Sequence, residues 1–264
     1  MAERITSAQN AFILRLKKLN DKKGRTEAGL LLAEGPKLVE EALKEGLSPR
    51  DVLIDDEHAE GLAELADTLD LCGACVRTGP AALLKAVSET RTPQGICASF
   101  TLPKPLDDPR GAKLLVALDG VQDPGNVGGI WRTADAAGFD GILFSDGCAD
   151  PTSPKVVRSA MGSAFRLPAR TCPNFAAELA EWKERGWQIL ITALDGDDFF
   201  RGMPAPDEKC ILVIGSEGHG IRQSTRDVAT KALRLPMRGG AESMNANVAA
   251  GIMLYALSYG LSPR

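Results

Sequence analysis

The chain has 264 residues, of which 44% are hydrophobic and 25% charged, so its composition is that of an ordinary globular protein with one or two domains. No apolar run approaches the roughly 20 residues that a membrane-spanning helix needs, and the N-terminus lacks the apolar core of a signal peptide. Six cysteines lie scattered through apolar surroundings, which predicts a reducing compartment. These features exclude a membrane protein and a small disulfide-rich scaffold, and they predict a cytoplasmic protein.

The formal net charge of −4 argues mildly against a nucleic-acid partner, because binding to a polyanion depends on neutralising its phosphates. The first segment is an exception, since it carries a run of basic side chains. These are Arg15, Lys17, Lys18, Lys22, Lys23 and Arg25. Such a run is commonly a solvated helix face. The acidic balance of the rest of the chain favours the other interpretation, a patch that contacts phosphates.

The first hundred residues alternate between helical and extended patterns. The patterns predict helices at 6–19, 37–44, 59–69 and 81–87, and strands at 29–34, 51–55, 74–77 and 94–100. This alternation indicates a small α/β domain of its own. Residues 101–111, rich in proline and charge, read as a linker. We therefore predict two domains, 1–105 and 106–264, with the boundary near Pro105.

The second part also reads as α/β. Predicted strands lie at 113–119, 141–145, 187–194 and 210–215, with a further strand end at 233–236. One predicted helix, which Asn126 can cap, carries Arg132 to Ala137, and another lies at 174–185. Residues 151–168 predict a helix with Pro154 near its first turn, then a strand ending at Pro168. The apolar strand at 113–119 is suited to the middle of a parallel sheet.

Three glycine-rich blocks stand out in this second part. They are LDGVQDPGNVGGIWRTADAAG (118–138), LVIGSEGHGI (212–221) and LRLPMRGGAESMNANVAAGIMLYAL (233–257). In the third block, a loop of small residues leads into an apolar helix that opens at Asn245, so backbone N–H groups can approach a polar ligand closely. Taken alone, the block also fits a plain strand-to-helix connection with Ser243 as the N-cap.

Two other chemistries are disfavoured by spacing. The first block is a strand, a glycine-rich loop and a helix, and a second strand then leads to Asp146, which is the order of elements in a dinucleotide-binding unit. The loop, however, has the pattern G-x-x-G-G and not G-x-G-x-x-G. Cys72 and Cys75 have the spacing of half a zinc site, yet no second pair or histidine cluster accompanies them. We predict two buried thiols there and no metal.

Together and in this order, the three blocks resemble the motifs of the SpoU-type RNA ribose 2′-O-methyltransferases, a branch of the SPOUT superfamily. The resemblance implies a C-terminal trefoil knot, an exception to the usual rules of chain connection. It also implies S-adenosylmethionine as cofactor, S-adenosylhomocysteine as product and a homodimer formed through the knotted domain. The first part, which closes with QGICASF, resembles the L30e-like substrate-binding domain of that family. Because the family acts on RNA, the resemblance also implies that the basic run binds RNA.

The resemblance also implies site residues. The residues that match positions around substrate and catalysis are Asn126, Arg132, Glu217, Ser243 and Asn245. The residues that match cofactor-binding positions are Leu194, Gly215, Glu217, Gly218, Leu235, Met237 and Met244. A guanidinium is effectively always protonated, so we expect Arg132 to bind a phosphate of the target and stabilise the developing alkoxide, not to act as a base.

Three positions depart from the family pattern. Asn247 replaces a serine, Gly129 stands where alanine is frequent, and Trp131 stands where a smaller aliphatic residue is usual. Trp131 either packs at the dimer interface or stacks on a base. The predicted function is methylation of a ribose 2′-hydroxyl in RNA, and ribosomal RNA is the predicted substrate. The alternatives are a transfer RNA substrate and an RNA-binding module that keeps the knot without catalysis, for which Asn247 is the supporting feature.

Overall fold

The computed structural model describes residues 3–107, 111–204 and 208–260; part of the predicted linker, 108–110, lies outside the described residues. The chain forms two compact units. The first contains the chain up to Pro103 together with Asp150–Arg166, and the second contains Lys104–Ala149 together with the chain from Leu167 onward. Both units are α/β, as predicted. No helix in the described ranges has the length and apolar character to cross a membrane.

Strands and helices alternate along most of the chain. The strands are β1 (Glu3–Arg4), β2 (Leu30–Glu34), β3 (Pro49–Asp55), β4 (Cys75–Gly79), β5 (Ile96–Thr101), β6 (Leu114–Asp119), β7 (Gly141–Ser145), β8 (Ala169–Cys172), β9 (Gln188–Asp198), β10 (Cys210–Gly215) and β11 (Lys231–Arg234). The helices are α1 (Ala11–Lys18), α2 (Lys22–Ala28), α3 (Pro36–Lys44), α4 (Ala63–Leu71), α5 (Ala81–Val87), α6 (Pro124–Ala136), α7 (Pro154–Ala160), α8 (Ser163–Arg166), α9 (Phe175–Glu184), α10 (Phe199–Gly202), α11 (Gln223–Val228) and α12 (Ala246–Gly260).

The first unit is built on a mixed sheet with the strand order β1-β4-β3-β5-β2. Every helix and strand predicted for the first hundred residues is present, most of them with shifted ends, while β1 and α2 were not predicted. The first predicted helix begins at Ala11 because the side chain of Asn10 accepts a hydrogen bond from Phe12 N and caps it. Phe12, Ile13 and Leu16 then face the core. The basic run is thereby divided between α1 and α2.

The segment Asp150–Arg166 belongs to the first unit, although the sequence prediction placed it in the second domain. Its helix α7 packs on β2. Arg25, whose side chain is only 3% exposed, binds this segment to the rest of the first unit. Arg25 Nη2 lies 2.6 Å from Asp150 Oδ2, and Arg25 Nε donates to Thr152 Oγ1 at 3.1 Å. Nothing in the local sequence indicated a partner this far along the chain.

Arg25 is therefore a correction to the predicted RNA-binding set. Its Nη1 donates to the carbonyl oxygens of Leu19 and Asn20, both at 2.7 Å, so its donors are used inside the fold. Arg15 pairs with Asp51 at 2.9 Å on the surface. Three of the predicted lysines, Lys18, Lys22 and Lys23, are exposed, and Lys17 is half-buried.

The second unit is built on a fully parallel sheet with the strand order β11-β9-β10-β6-β7-β8. Every residue of β6 and β10 is buried. Because successive side chains point to opposite faces, both faces of these central strands are covered, as their continuous apolar sequences predict. The predicted strand ending at Pro168 is wrong: residues 163–166 form the short helix α8, and β8 begins only at Ala169.

Trp131 and the Cys72–Cys75 pair are the other two places where the sequence left a local question. Trp131 is 3% exposed, its ring centroid lies 5.3 Å from that of Phe144, and its Nε1 donates to Leu167 O at 3.2 Å. It is therefore buried within its own unit, which contradicts both packing at a dimer interface and stacking on a base. Cys72 is exposed and Cys75 half-buried, so the prediction of two buried thiols is wrong.

Candidate functional site

The loop after β10 is shaped by glycine. A Cβ atom on Gly215 would lie 2.5 Å from the carbonyl carbon of Gly220, so no larger residue fits at this position. The backbones of Ser216 and Gly220 exchange two hydrogen bonds, of 3.2 and 2.9 Å, which close a tight turn. Gly220 has φ of +64°, in the left-handed region. The turn presents Glu217 and Gly218 beyond the carboxyl end of the sheet, where ligands bind in open α/β folds.

The end of β9 is interrupted. Ala232 of β11 pairs with Ile191, but the next residue, Leu233, pairs with Asp197, so residues 192–196 are left out of the ladder. A Cβ atom on Gly196 would lie 2.6 Å from the carbonyl carbon of Ala232, which makes glycine necessary where the segment rejoins the strand. The unpaired segment projects Leu194, which is 68% exposed. The sequence predicted Leu194 at a strand end but not this interruption.

These loops and the loop after β11 enclose a cavity of about 740 Å³, within the usual range for small-molecule sites. Every predicted cofactor-binding residue lines it, namely Leu194, Gly215, Glu217, Gly218, Leu235, Met237 and Met244. Apolar side chains from two loops, the unpaired segment of β9 and the loop after β11, thus face the exposed backbone of the turn after β10. That combination suits a ligand with a flat apolar ring system and polar edges.

A hydrogen-bonded group of three side chains lies at one wall of the cavity. Glu217 Oε1 accepts from Asn126 Nδ2 and from Asn245 Nδ2, both at 2.9 Å, and Asn245 Nδ2 also lies 3.1 Å from Asn126 Oδ1. The three residues come from α6, the turn after β10 and the start of α12. The structure therefore brings together three of the five predicted catalytic residues.

The caps of the two helices differ from the sequence prediction. Asp123 caps α6, its Oδ1 accepting from Asn126 N at 2.8 Å, so the Asn126 side chain is not the cap. Asn245 caps α12, its Oδ1 accepting from the N–H groups of Asn247 and Val248 at 3.0 and 3.3 Å, so Ser243 is not the cap. Ser243 lines the cavity and is exposed.

Arg132 stands apart from this group. It lies on α6, exposed, and it makes no hydrogen bond or ion pair with any residue in the described ranges. It does not line the cavity. All five N–H donors of its guanidinium therefore remain available to a phosphate, which they match in geometry.

Two sets of ion-paired side chains lie near the site, one around Arg222 and one formed by Arg226 and Asp195. They were not predicted from the sequence as site residues. Arg222 donates through Nε to the fully buried Asp119 at 2.5 Å and through Nη1 to Asp146 at 2.7 Å. This accounts for Asp146, which the dinucleotide interpretation would have used on a ribose. At the cavity itself, Arg226 holds both oxygens of Asp195, at 2.9 and 3.2 Å, and these hydrogen bonds lower the pKa of the Asp195 carboxyl.

Histidine, cysteine, aspartate and glutamate side chains form no group of three or more that could hold a metal ion within the part of the chain that the structure describes. The six cysteines are free thiols.

Comparison with known proteins gives two family matches. Residues 113–255 match the SpoU rRNA Methylase family, and residues 10–98 match the MRM3-like substrate binding domain. Among curated proteins, the 23S rRNA (guanosine(2553)-2′-O)-methyltransferase RlmP of Bacillus subtilis is 37% identical over 257 residues, which cover 97% of this chain and 99% of RlmP.

Two solved structures that contain the cofactor are similar over nearly the whole chain. The AdoMet-bound rRNA methyltransferase from Sinorhizobium meliloti has a TM-score of 0.84 at 30% identity, covering 99% of each chain. The SpoU methyltransferase AviRb from Streptomyces viridochromogenes, in complex with AdoMet, has a TM-score of 0.81 at 28% identity, covering 95% of this chain and 98% of its own. AdoMet is S-adenosylmethionine.

Proposed function

Because the chain belongs to the SpoU rRNA methylase family and is an S-adenosylmethionine-dependent RNA methyltransferase, we propose that it methylates the 2′-hydroxyl of one ribose in 23S ribosomal RNA. The observation that carries the proposal is the cavity at the carboxyl end of the parallel sheet, whose wall contains all of the predicted cofactor residues. The similarity to RlmP, which extends over nearly the full length of both chains, supports the choice of RNA.

The residues of the cavity fit the methyl donor. Leu194, Leu235 and Met244 offer apolar surface for the adenine ring, and the backbone of the Ser216–Gly220 turn offers N–H and C=O groups for its edge. The exposed Leu194 would be covered by a bound ring. Bound S-adenosylmethionine supplies a methyl group on a positively charged sulfur, and S-adenosylhomocysteine is the product.

The roles of the polar residues follow from their chemistry. Arg132 binds a phosphate next to the target ribose and stabilises the negative charge on the 2′-oxygen, whose proton is released to water as the oxygen takes the methyl group. Asn126, Glu217 and Asn245 hold the loops that position the hydroxyl against the methyl carbon, and such positioning supplies much of the rate of an in-line displacement. Ser243 is a further polar group at the same wall.

The proposal includes a homodimer formed through the second unit, with a trefoil knot in that unit and an L30e-like fold in the first. Helix α12 exposes an apolar stripe on one face, made of Val248, Ile252, Tyr255 and Tyr259. Their spacing of four, three and four residues keeps them on one side of a helix. Arg132 does not line the cavity of its own chain, which supports a site that a second copy completes.

Replacing Ile252 by glutamate is expected to convert the dimer to a monomer and to abolish methyl transfer, because a charge would enter an apolar interface. Light scattering after size-exclusion chromatography measures the mass. The matched control is Leu71→Glu, at an apolar side chain that is 89% exposed in the first unit. A dimer that survives Ile252→Glu, or a control that dissociates equally, would argue against this interface.

We further propose that Lys17, Lys18, Lys22 and Lys23, which lie on α1 and α2, contact RNA phosphates. Among the described residues, the one ion pair that any of them forms is the exposed pair of Lys23 with Glu27 at 3.8 Å. The enzyme acts in the cytoplasm, a placement that the free cysteines support.

The choice of RNA is tested by transfer of labelled methyl groups from S-adenosylmethionine. The substrates are 23S ribosomal RNA, 16S ribosomal RNA and transfer RNA, each isolated from cells that lack the gene. We expect label in 23S RNA alone. Label in transfer RNA would establish the alternative substrate. Ribosomal particles from the same cells are tested as well. Binding of both the cofactor and RNA, with no label in any of these substrates, would support the non-catalytic RNA-binding module.

A further inference from the structure

Helices α6 and α12 pack against each other through glycines. A Cβ atom on Gly129 would lie 2.5 Å from Asn247 Nδ2, 2.7 Å from its Cγ and 2.8 Å from its Oδ1. One turn further along both helices, a Cβ atom on Gly251 would lie 3.6 Å from Thr133 Cγ2. In each pair, a side chain from one helix meets a glycine on the other. The first contact is much the tighter of the two.

The amide of Asn247 lies where a side chain at position 129 would begin. No other residue contributes to the three nearest contacts of that missing Cβ. Asn247 Oδ1 is buried and accepts no hydrogen bond from any residue in the described ranges. At this oxygen the side chain therefore fills space and forms no bond, although burying an unpaired acceptor is unfavourable.

The contact lies close to the hydrogen-bonded group at the cavity wall. Gly129 is three residues after Asn126 on α6, and Asn247 is two residues after Asn245 at the start of α12. Asn126 and Asn245 are joined to each other at 3.1 Å and to Glu217 at 2.9 Å. A displacement of either helix at the Gly129 contact would therefore alter these distances directly.

We propose that Asn247 and Gly129 are a coupled pair of positioning residues for methyl transfer. The amide at 247 occupies the volume that the missing side chain at 129 leaves, so the two positions share one space between the helices. The inference rests on the proposed function. If the inference holds, Asn247 no longer supports the non-catalytic alternative, because its side chain then serves to keep α6 and α12 at the spacing that the site requires.

A double-mutant cycle with Gly129→Ala, Asn247→Ser and the combined variant tests this pair. Gly129→Ala places a methyl group within 2.8 Å of three atoms, so we expect kcat to fall about 10-fold or more, since small misplacements of reacting groups are costly. Asn247→Ser leaves a gap and lowers kcat by about 3-fold. The combined variant restores space and bulk together, and we expect it to recover at least about 5-fold over Gly129→Ala.

The matched control is Gly251→Ala, whose added methyl group meets only an ordinary contact at 3.6 Å, and its kcat should stay near that of wild type. The KM for each substrate and the Tm are measured alongside kcat, well below the Tm. Recovery in the combined variant that appears in kcat supports positioning. Losses in the combined variant equal to the product of the single losses, or changes confined to the Tm, overturn the proposal.

If Gly129→Ala does not fold, recovery of both folding and kcat in the combined variant supports the coupling, and failure of both variants to fold refutes it. A wild-type protein that methylates no RNA refutes the proposed function, and this role with it. An active wild type with an additive cycle refutes the coupled pair alone.

Discussion

Arg132→Ala is expected to lower kcat by about 100-fold or more while leaving the Tm and the affinity for S-adenosylmethionine unchanged. The structure explains why kcat should fall while the Tm and the cofactor affinity stay unchanged. Arg132 is exposed and has no partner in the described ranges, so the fold does not depend on it, and it does not line the cofactor cavity. Its loss removes only an interaction with RNA. Methyl-transfer kinetics measure kcat, calorimetric titration measures the affinity for the cofactor, and thermal unfolding measures the Tm.

Arg132→Lys separates charge from geometry. A lysine keeps the positive charge but cannot make the paired hydrogen bonds of the guanidinium fork, so an intermediate loss of about 10-fold is expected. Wild-type rates in both variants would show that another residue stabilises the transition state. A loss of cofactor affinity equal to the loss of rate would show that Arg132 supports the cavity instead.

Asp150→Asn is expected to destabilise the first unit by about 3 kcal/mol, because it leaves the buried charge of Arg25 without its carboxylate. Arg25 is 3% exposed, and its Nη2 lies 2.6 Å from Asp150 Oδ2. The bonds from Arg25 Nη1 to two carbonyl oxygens remain and limit the loss. Equilibrium unfolding in urea measures the change. The matched control is Asp56→Asn, which breaks the exposed pair with Arg4 and should have little effect.

The same pair predicts a dependence on pH. Burial acts to raise the pKa of Asp150, but the hydrogen bonds from Arg25 and Thr152 outweigh it, so the pKa in the folded chain lies below the ordinary 3.8. The stabilisation is therefore fully present above that ordinary value and is lost as the pH falls through the lower pKa of the folded chain. The difference in unfolding free energy between wild type and Asp150→Asn should stay constant near neutral pH and shrink in acid below about pH 4. A difference that grows in acid would contradict this assignment.

The glycine-rich loops and the central strands were predictable because their signals are local. Continuous apolar strands of the second unit indicate a buried parallel sheet, and Gly215 is required by the backbone of Gly220 a few residues away. The second and third motifs therefore identified residues that line one cavity, and Asn126 of the first motif is hydrogen-bonded to Glu217 at its wall. In the structure, Asp123 and Asn245 cap the helices. The motifs could not single out these two among the neighbouring polar residues, because the choice depends on the backbone geometry.

The rest depended on contacts between distant residues. Arg25 looks like one more member of a basic run, and only the return of Asp150, 125 residues later, makes it a buried structural residue. Gly129 and Asn247 appear in the sequence as two unrelated departures, whereas in the fold they are in contact. Trp131 could be assigned to packing, but its neighbours Phe144 and Leu167 came only with the structure.

The position of the added methyl group tests the proposed reaction most directly. Ribosomal RNA from cells that lack the gene is incubated with the protein and S-adenosylmethionine, then digested to nucleosides and analysed by mass spectrometry. We expect a single new nucleoside with its methyl group on the ribose 2′-oxygen, and a backbone that resists alkaline cleavage at one site. A methyl group on a base would contradict the proposed reaction, whatever the amount of label transferred.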